Sequence, residues 1–265
     1  MSPSNLRGHR ERKTWKYKLG FIALYIISIL SFGEVKAQEN INFYLHENGV
    51  TIMCPDASNG ETGIIDGVEY IKRTKKQITI ENAGTTCTSG IEDMTDIFYY
   101  KRNFNGDISH WDVSSVKNMY RMFYTAESFN QDISHWDVSF TTNMGYIFSK
   151  TPFNQDISKW DVSSVTNMEN MFYESQFNKP IGNWNVSSVT NMRAMFTGTV
   201  FNQDISEWNV SSVNDMDYMF IGASAFNQNL KKWCVSFIST DPKSFSNGSP
   251  LTEKNKPKWG TCPSK

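Results

Sequence analysis

Apolar and polar positions repeat together along most of this chain. From Phe104 onward a phrase close to Phe-Asn-Gln-Asp-Ile-Ser-x-Trp-Asp-Val-Ser-Ser-Val-Thr-Asn-Met-x-x-Met-Phe recurs six times, opening at Phe104, Phe129, Phe153, Phe177, Phe201 and Phe226. The steps are 24 or 25 residues, and Trp111, Trp136, Trp160, Trp184, Trp208 and Trp233 follow in lockstep. A period of that length with an apolar residue held at each phase predicts a solenoid in which each repeat is one coil.

Within one repeat the period changes. Trp111 and Val113 alternate with Asp112, which predicts a short half-buried strand. Val116, Met119, Met122 and Phe123 then fall at helical spacing, preceded by Ser114 and Ser115 as capping candidates. The expected fold class is therefore α/β: a leucine-rich-repeat-like solenoid of about six strand-plus-short-helix coils. The six Trp are its expected core, because stacking of neighbouring coils buries what one coil cannot.

Polar positions hold phase as well. Asn105, Asn130, Asn154, Asn178, Asn202 and Asn227 follow the repeat Phe, and predict a ladder in which each side chain bonds backbone in its own turn and the neighbouring coil. Asp107, Asp132 and Asp156 share a second phase with Asp204, interrupted by Pro180 and Asn229. These carboxylates are expected to accept local backbone N–H bonds in Asx-type turns; Ca2+ held between coils is the competing reading, and the break at Pro180 disfavours it. No cofactor is expected. His110 and His135 precede the Trp in a slot that elsewhere holds Lys, Asn or Glu, so they are read as solvent-facing rather than metal-binding.

The ends depart from the repeat. Residues 1–37 combine a basic n-region (Arg7, Arg10, Arg12, Lys13), an apolar stretch from Leu19 to Phe32 and a small-x-small site ending at Ala37. That is the pattern of a signal peptide, too short in its apolar part to span a bilayer. Residues 38–86 read as a β-rich N-terminal cap with Asn48-Gly49 and Asp66-Gly67 as hairpin turns. Residues 87–249 form the repeat region, opened by a partial coil ending at Phe98, and 250–265 a C-terminal cap.

Charge and cysteine usage narrow the setting. Seven of the 26 basic and two of the 27 acidic residues lie in 1–37, so the remainder carries 19 against 25 and a net charge of −6. An acidic chain without a basic patch is a poor partner for nucleic acid or anionic membrane. Cys54, Cys87, Cys234 and Cys262 are an even set clustered at the two ends of the repeats, which favours Cys54–Cys87 and Cys234–Cys262 disulfides in an exported protein.

The repeats resemble the BspA-like leucine-rich-repeat family of bacterial surface proteins. The resemblance is carried by Phe129 to Ser139, by Val165-Thr166-Asn167-Met168 and Met171-Phe172, and by the flanks Glu47 to Ile52 and Trp259 to Pro263. It implies a secreted or cell-surface protein that adheres to or binds a partner, with no catalytic residues. No wall-sorting motif or spanning segment stands near the C-terminus, a departure from a surface-anchored pattern.

Function is expected to lie on the exterior. Tyr120, Arg121, Tyr146, Arg193 and Tyr218 occupy variable slots between conserved-phase apolar residues, and predict a surface of mixed charge and aromatic character suited to a protein partner. The reading is a non-enzymatic, exported, monomeric repeat protein that binds a macromolecule. A carbohydrate-binding module or a structural spacer at the cell surface is the alternative.

Overall fold

The computed structural model of the protein describes residues 42–263. The expected signal peptide, residues 1–37, lies outside the described residues. Among those described, no helix is long and apolar enough to cross a membrane.

The N-terminal region is built from short strands: β1 (Tyr44–Leu45), β2 (Ile52–Met53), β3 (Thr62–Ile65), β4 (Val68–Lys72) and β5 (Thr86–Cys87). β1 and β2 pair antiparallel, as do β3 and β4, while β5 joins β4 in parallel. Asp66 and Gly67, at φ 50° and 80°, make the two-residue turn between β3 and β4, which needs positive φ at both positions. Gly63 is required for packing rather than for φ, since a Cβ there would lie 2.3 Å from the ring of Phe43. Cys54 and Cys87 form a disulfide that ties the exit of β2 to β5.

The strand-plus-helix solenoid expected from the repeats is not formed. The described residues contain no α-helix, only 3₁₀ turns at Lys75–Gln77, Ala83–Thr85 and Glu253–Asn255, and no strand beyond β5. Most of the chain is irregular coil, yet successive repeats stack in parallel register. Single-residue bridges link Asp93 to Asn118, then Asn143, Asn167, Asn191 and Asp215.

Hydrogen bonding explains why the helix does not form. In an α-helix the Phe123 N–H would donate to the carbonyl four residues back; here it donates to Ile147 O in the next coil at 3.1 Å. Met119, Arg121 and Thr125 do likewise, to Asn143, Gly145 and Ser149. Between them the chain reverses by three-residue steps, as where Met122 N donates to Met119 O at 3.1 Å. Arg121, third in that turn, has φ 54°, the left-handed conformation a type II turn demands there. The same conformation recurs at Asp96, Tyr146, Asn170, Ala194 and Tyr218, and in a second column at Tyr100, Thr125, Lys150, Glu174, Gly198 and Gly222. Apolar spacing alone does not distinguish a helix from a run of turns that points the same residues inward.

Those residues do point inward. Val116, Met119, Met122 and Phe123 and their counterparts are buried. Two Phe ladders run through the core: Phe104, Phe129, Phe153, Phe177, Phe201 and Phe226 stack at 5.8–6.3 Å, and Phe98, Phe123, Phe148, Phe172, Phe196 and Phe220 at 5.6–5.9 Å. Offset stacking of this kind adds about 0.5–1.5 kcal/mol per pair beyond burial. The C-terminal end is closed by residues 251–262. Gly260 N donates to Ile238 O at 2.7 Å, Trp259 packs edge-on against Phe245, and Cys234 is bonded to Cys262.

Candidate binding surface

The predicted Trp column lies entirely inside. Each indole is buried, and each Nε1 donates to a carbonyl of the preceding turn: Trp136 to Ile108, Trp160 to Ile133, Trp184 to Ile157, Trp208 to Ile181 and Trp233 to Ile205, at 3.0–3.2 Å. Trp111, first in the column, donates to Ala83 O instead. These residues contribute packing and backbone satisfaction, and none is available to a partner.

The Asn of the repeat Phe-Asn form a continuous ladder. Asn105 Oδ1 accepts from Asn130 N, Asn130 from Asn154, Asn154 from Asn178, Asn178 from Asn202 and Asn202 from Asn227, at 2.9–3.1 Å. A second polar column escaped sequence reasoning. The bridge residues Asp93, Asn118, Asn143, Asn167, Asn191 and Asp215 each accept from the N–H two residues on. Their constant phase, one residue before the column of Met94, Met119, Met144, Met168, Met192 and Met216, was the available signal.

The Asp column turns toward its own backbone. Asp107, Asp132, Asp156 and Asp204 accept from the N–H of Ser109, Ser134, Ser158 and Ser206, each at 2.9 Å. Those backbone bonds hold the carboxyls of Asp132, Asp156 and Asp204 below the usual range. Ser114, expected as a helix cap, instead donates to Asp112 through both its N–H and its hydroxyl. The two histidines differ: His135 is exposed, while His110, read as solvent-facing, is 8% exposed. The N-terminal strands cover it, a neighbourhood the repeat pattern could not disclose.

The variable slots place side chains on one outer face. Arg121 donates through Nε and Nη2 to the two carboxylate oxygens of Asp96 at 2.9 and 2.8 Å. Its guanidinium lies 4.8 Å from the Tyr99 ring and 5.0 Å from that of Tyr120. From there ring contacts close a circuit: Tyr99 to Tyr124 at 5.4 Å, Tyr124 to Tyr146 at 6.0 Å, and Tyr146 to Tyr120 at 5.5 Å. Gly145 makes room for this, because a Cβ there would lie 3.0 Å from the Tyr120 ring and 2.9 Å from Asn167 Nδ2. Tyr146 donates to Glu169 at 3.2 Å; burial first, then the Glu169 charge, pushes its phenol up to about 12.

Two more groups flank the circuit. Lys150 pairs with Glu174 and lies 5.7 Å from the Tyr173 ring. Further along, Arg193 lies 4.7 Å from the Tyr218 ring and pairs with Asp217 and Asp215, while Lys243 approaches the same ring at 5.4 Å. The five residues singled out from sequence thus divide. Tyr120, Arg121 and Tyr146 join the circuit, and Arg193 and Tyr218 make a separate cluster three coils on. Tyr99, Tyr100 and Tyr124, which complete the first group, were missed. They lie in the partial first coil and in the slots just after the repeat Phe, where the recurrence of Tyr at 99, 124 and 173 was the signal.

Against known families, the chain matches the family model described as a Mycoplasma protein of unknown function, DUF285, over residues 68–176 and again over 149–259. The chain belongs to the DUF285 family. This overturns the identification with BspA-like leucine-rich-repeat proteins, whose likeness rested on period and phase. DUF285 membership accounts for the repeats. No curated protein and no solved structure matches the chain.

Proposed function

We propose that this chain is a non-enzymatic binding protein acting outside the cytoplasm, and that it meets a protein partner through the tyrosine–arginine face. The observation that carries this reading is the closed circuit of Tyr99, Tyr124, Tyr146, Tyr120 and Arg121. Tyrosines held by their neighbours give up little side-chain entropy on binding and offer both apolar edge and hydroxyl, the combination enriched in protein-recognition surfaces. Ring faces are largely spent on one another and on the guanidinium, which favours a protein over a sugar stacked on an open face. Both disulfides are compatible with an extracellular setting. The hydroxyls of Ser114, Ser139, Ser187 and Ser211 are engaged in turns, each bonded to the Asp or Asn two residues before it.

The test compares immobilised wild-type chain with a Tyr99→Ser/Tyr124→Ser/Tyr146→Ser variant, using surface proteins of the producing cell and, separately, a glycan array. A protein retained by the wild type and weakened at least tenfold in the variant is expected. Equal retention by both, or binding confined to glycans, refutes the proposal.

A further inference from the structure

A groove of about 360 Å3 lies where the N-terminal strands meet the first complete coil, and it shares no residue with the tyrosine–arginine face. Leu45, Val50 and Val68 form its apolar wall, and Leu45 and Val68 are exposed. Its other side is built on His110, where β2, β4 and β5 converge. Ile52 N donates to the His110 carbonyl at 2.8 Å, Tyr70 packs on the imidazole with ring centroids 5.2 Å apart, and Nε2 faces Thr86 O at 3.2 Å.

The charged side chains of the lining are all acidic. A carbonyl can only accept, so His110 Nε2 carries the ring proton and Nδ1 presents a lone pair. That nitrogen has no hydrogen-bond partner among the described residues, and His110 lines the groove. Asp66, at the β3–β4 turn, and Asp107, in the coil, contribute carboxylates, and neither forms an ion pair among the described residues. No lysine or arginine lines the groove. Acceptors and an aromatic ring thus meet beside an apolar wall, with no cation to neutralise them.

We infer that this groove binds an organic cation, an ammonium or guanidinium carried on an apolar stem. The charged head is held by Asp66, Asp107 and the His110 lone pair, with the Tyr70 ring beside it, and the stem lies along Leu45, Val50 and Val68. Two charges unpaired in the free protein then find a partner, and apolar surface is covered in the same event. A lysine or arginine side chain of a polypeptide and a free alkylamine share this chemistry, and the volume sits at the lower end of the range of about 300–1,000 Å3 for ligand sites.

Calorimetric titration of the purified chain with capped tripeptides centred on lysine, arginine, norleucine or glutamate, and with n-butylamine, tests it. The lysine or arginine peptide is expected to bind at least tenfold tighter than the norleucine and glutamate peptides. That binding should fall at least tenfold in an Asp66→Asn/Asp107→Asn variant. The variant keeps its turns: Asn229, in the Asp107 column, accepts from Lys231 N at 3.1 Å, and asparagine tolerates the φ of 50° at Asp66. Butylamine binding as tightly as the lysine peptide identifies a free amine as the occupant; weaker binding identifies a polypeptide side chain. Norleucine binding as well as lysine, an undiminished double variant, or no binding by any probe overturns the inference. The Tyr99/Tyr124/Tyr146 variant should retain the cation, which keeps this test independent of the tyrosine–arginine face.

Discussion

Asp132, Asp156 and Asp204 each hold one turn closed through a backbone N–H, and the ionised carboxylate is the better acceptor. Their pKa values in the folded chain therefore lie below the ordinary 3.8. A carboxyl depressed by folding adds stability that is complete above its unfolded pKa and is lost as pH falls through the folded one. The melting temperature should thus decline below about pH 4, and an Asp132→Asn/Asp156→Asn/Asp204→Asn variant should decline less steeply, since asparagine caps the turn without titrating. A parallel fall in variant and wild type would remove these carboxylates from the acid response. At this scale much was legible beforehand. The Asx turns and the Asn ladder positions follow from residue type and phase, and clustering favoured the two cysteine pairs that form, whereas His110 was misplaced because its cover comes from strands outside the repeat.

A single coil is not a stable element; its N–H groups are satisfied by the coil beside it. Asn178 illustrates the coupling, because its Oδ1 accepts from both Asn202 N and Gln203 Nε2 at 3.0 Å. Asn178→Ala should cost about 1–2 kcal/mol. Exchange of the Asn202 amide should accelerate more than that of amides two coils away, measured by hydrogen–deuterium exchange. Uniform acceleration throughout would indicate that the coils open together rather than at one joint. The same coupling explains the failed helix. Met119, Met122 and Phe123 carry helical spacing, but the bonds from the N–H groups of Met119, Arg121 and Phe123 to Asn143, Gly145 and Ile147 reach into the next repeat and are invisible in any window of one coil.

For the whole molecule, both ends are fastened by disulfides where no further repeat covers the stack. Cys54 and Cys87 close a loop across 33 residues beside the groove, and Cys54→Ser/Cys87→Ser should lower unfolding stability by about 2–4 kcal/mol in denaturant titration. No change would show that the strands dock without the bond. Between the fastened ends, the tyrosine–arginine face draws on several coils and the cation groove on four strands and a coil. Neither exists in an isolated repeat.

What the chain alone determined is its periodicity: which residues are interior, which asparagines and aspartates recur, and where the repeats begin and end. Those properties depend on residue type and phase, which sequence records directly. Tertiary structure decided how the backbone closes each coil, because N–H groups choose between a partner four residues back and one in the neighbouring repeat. It also decided which exposed side chains share a face, since Tyr99, Tyr124 and Tyr146 become neighbours only when three coils stack in register.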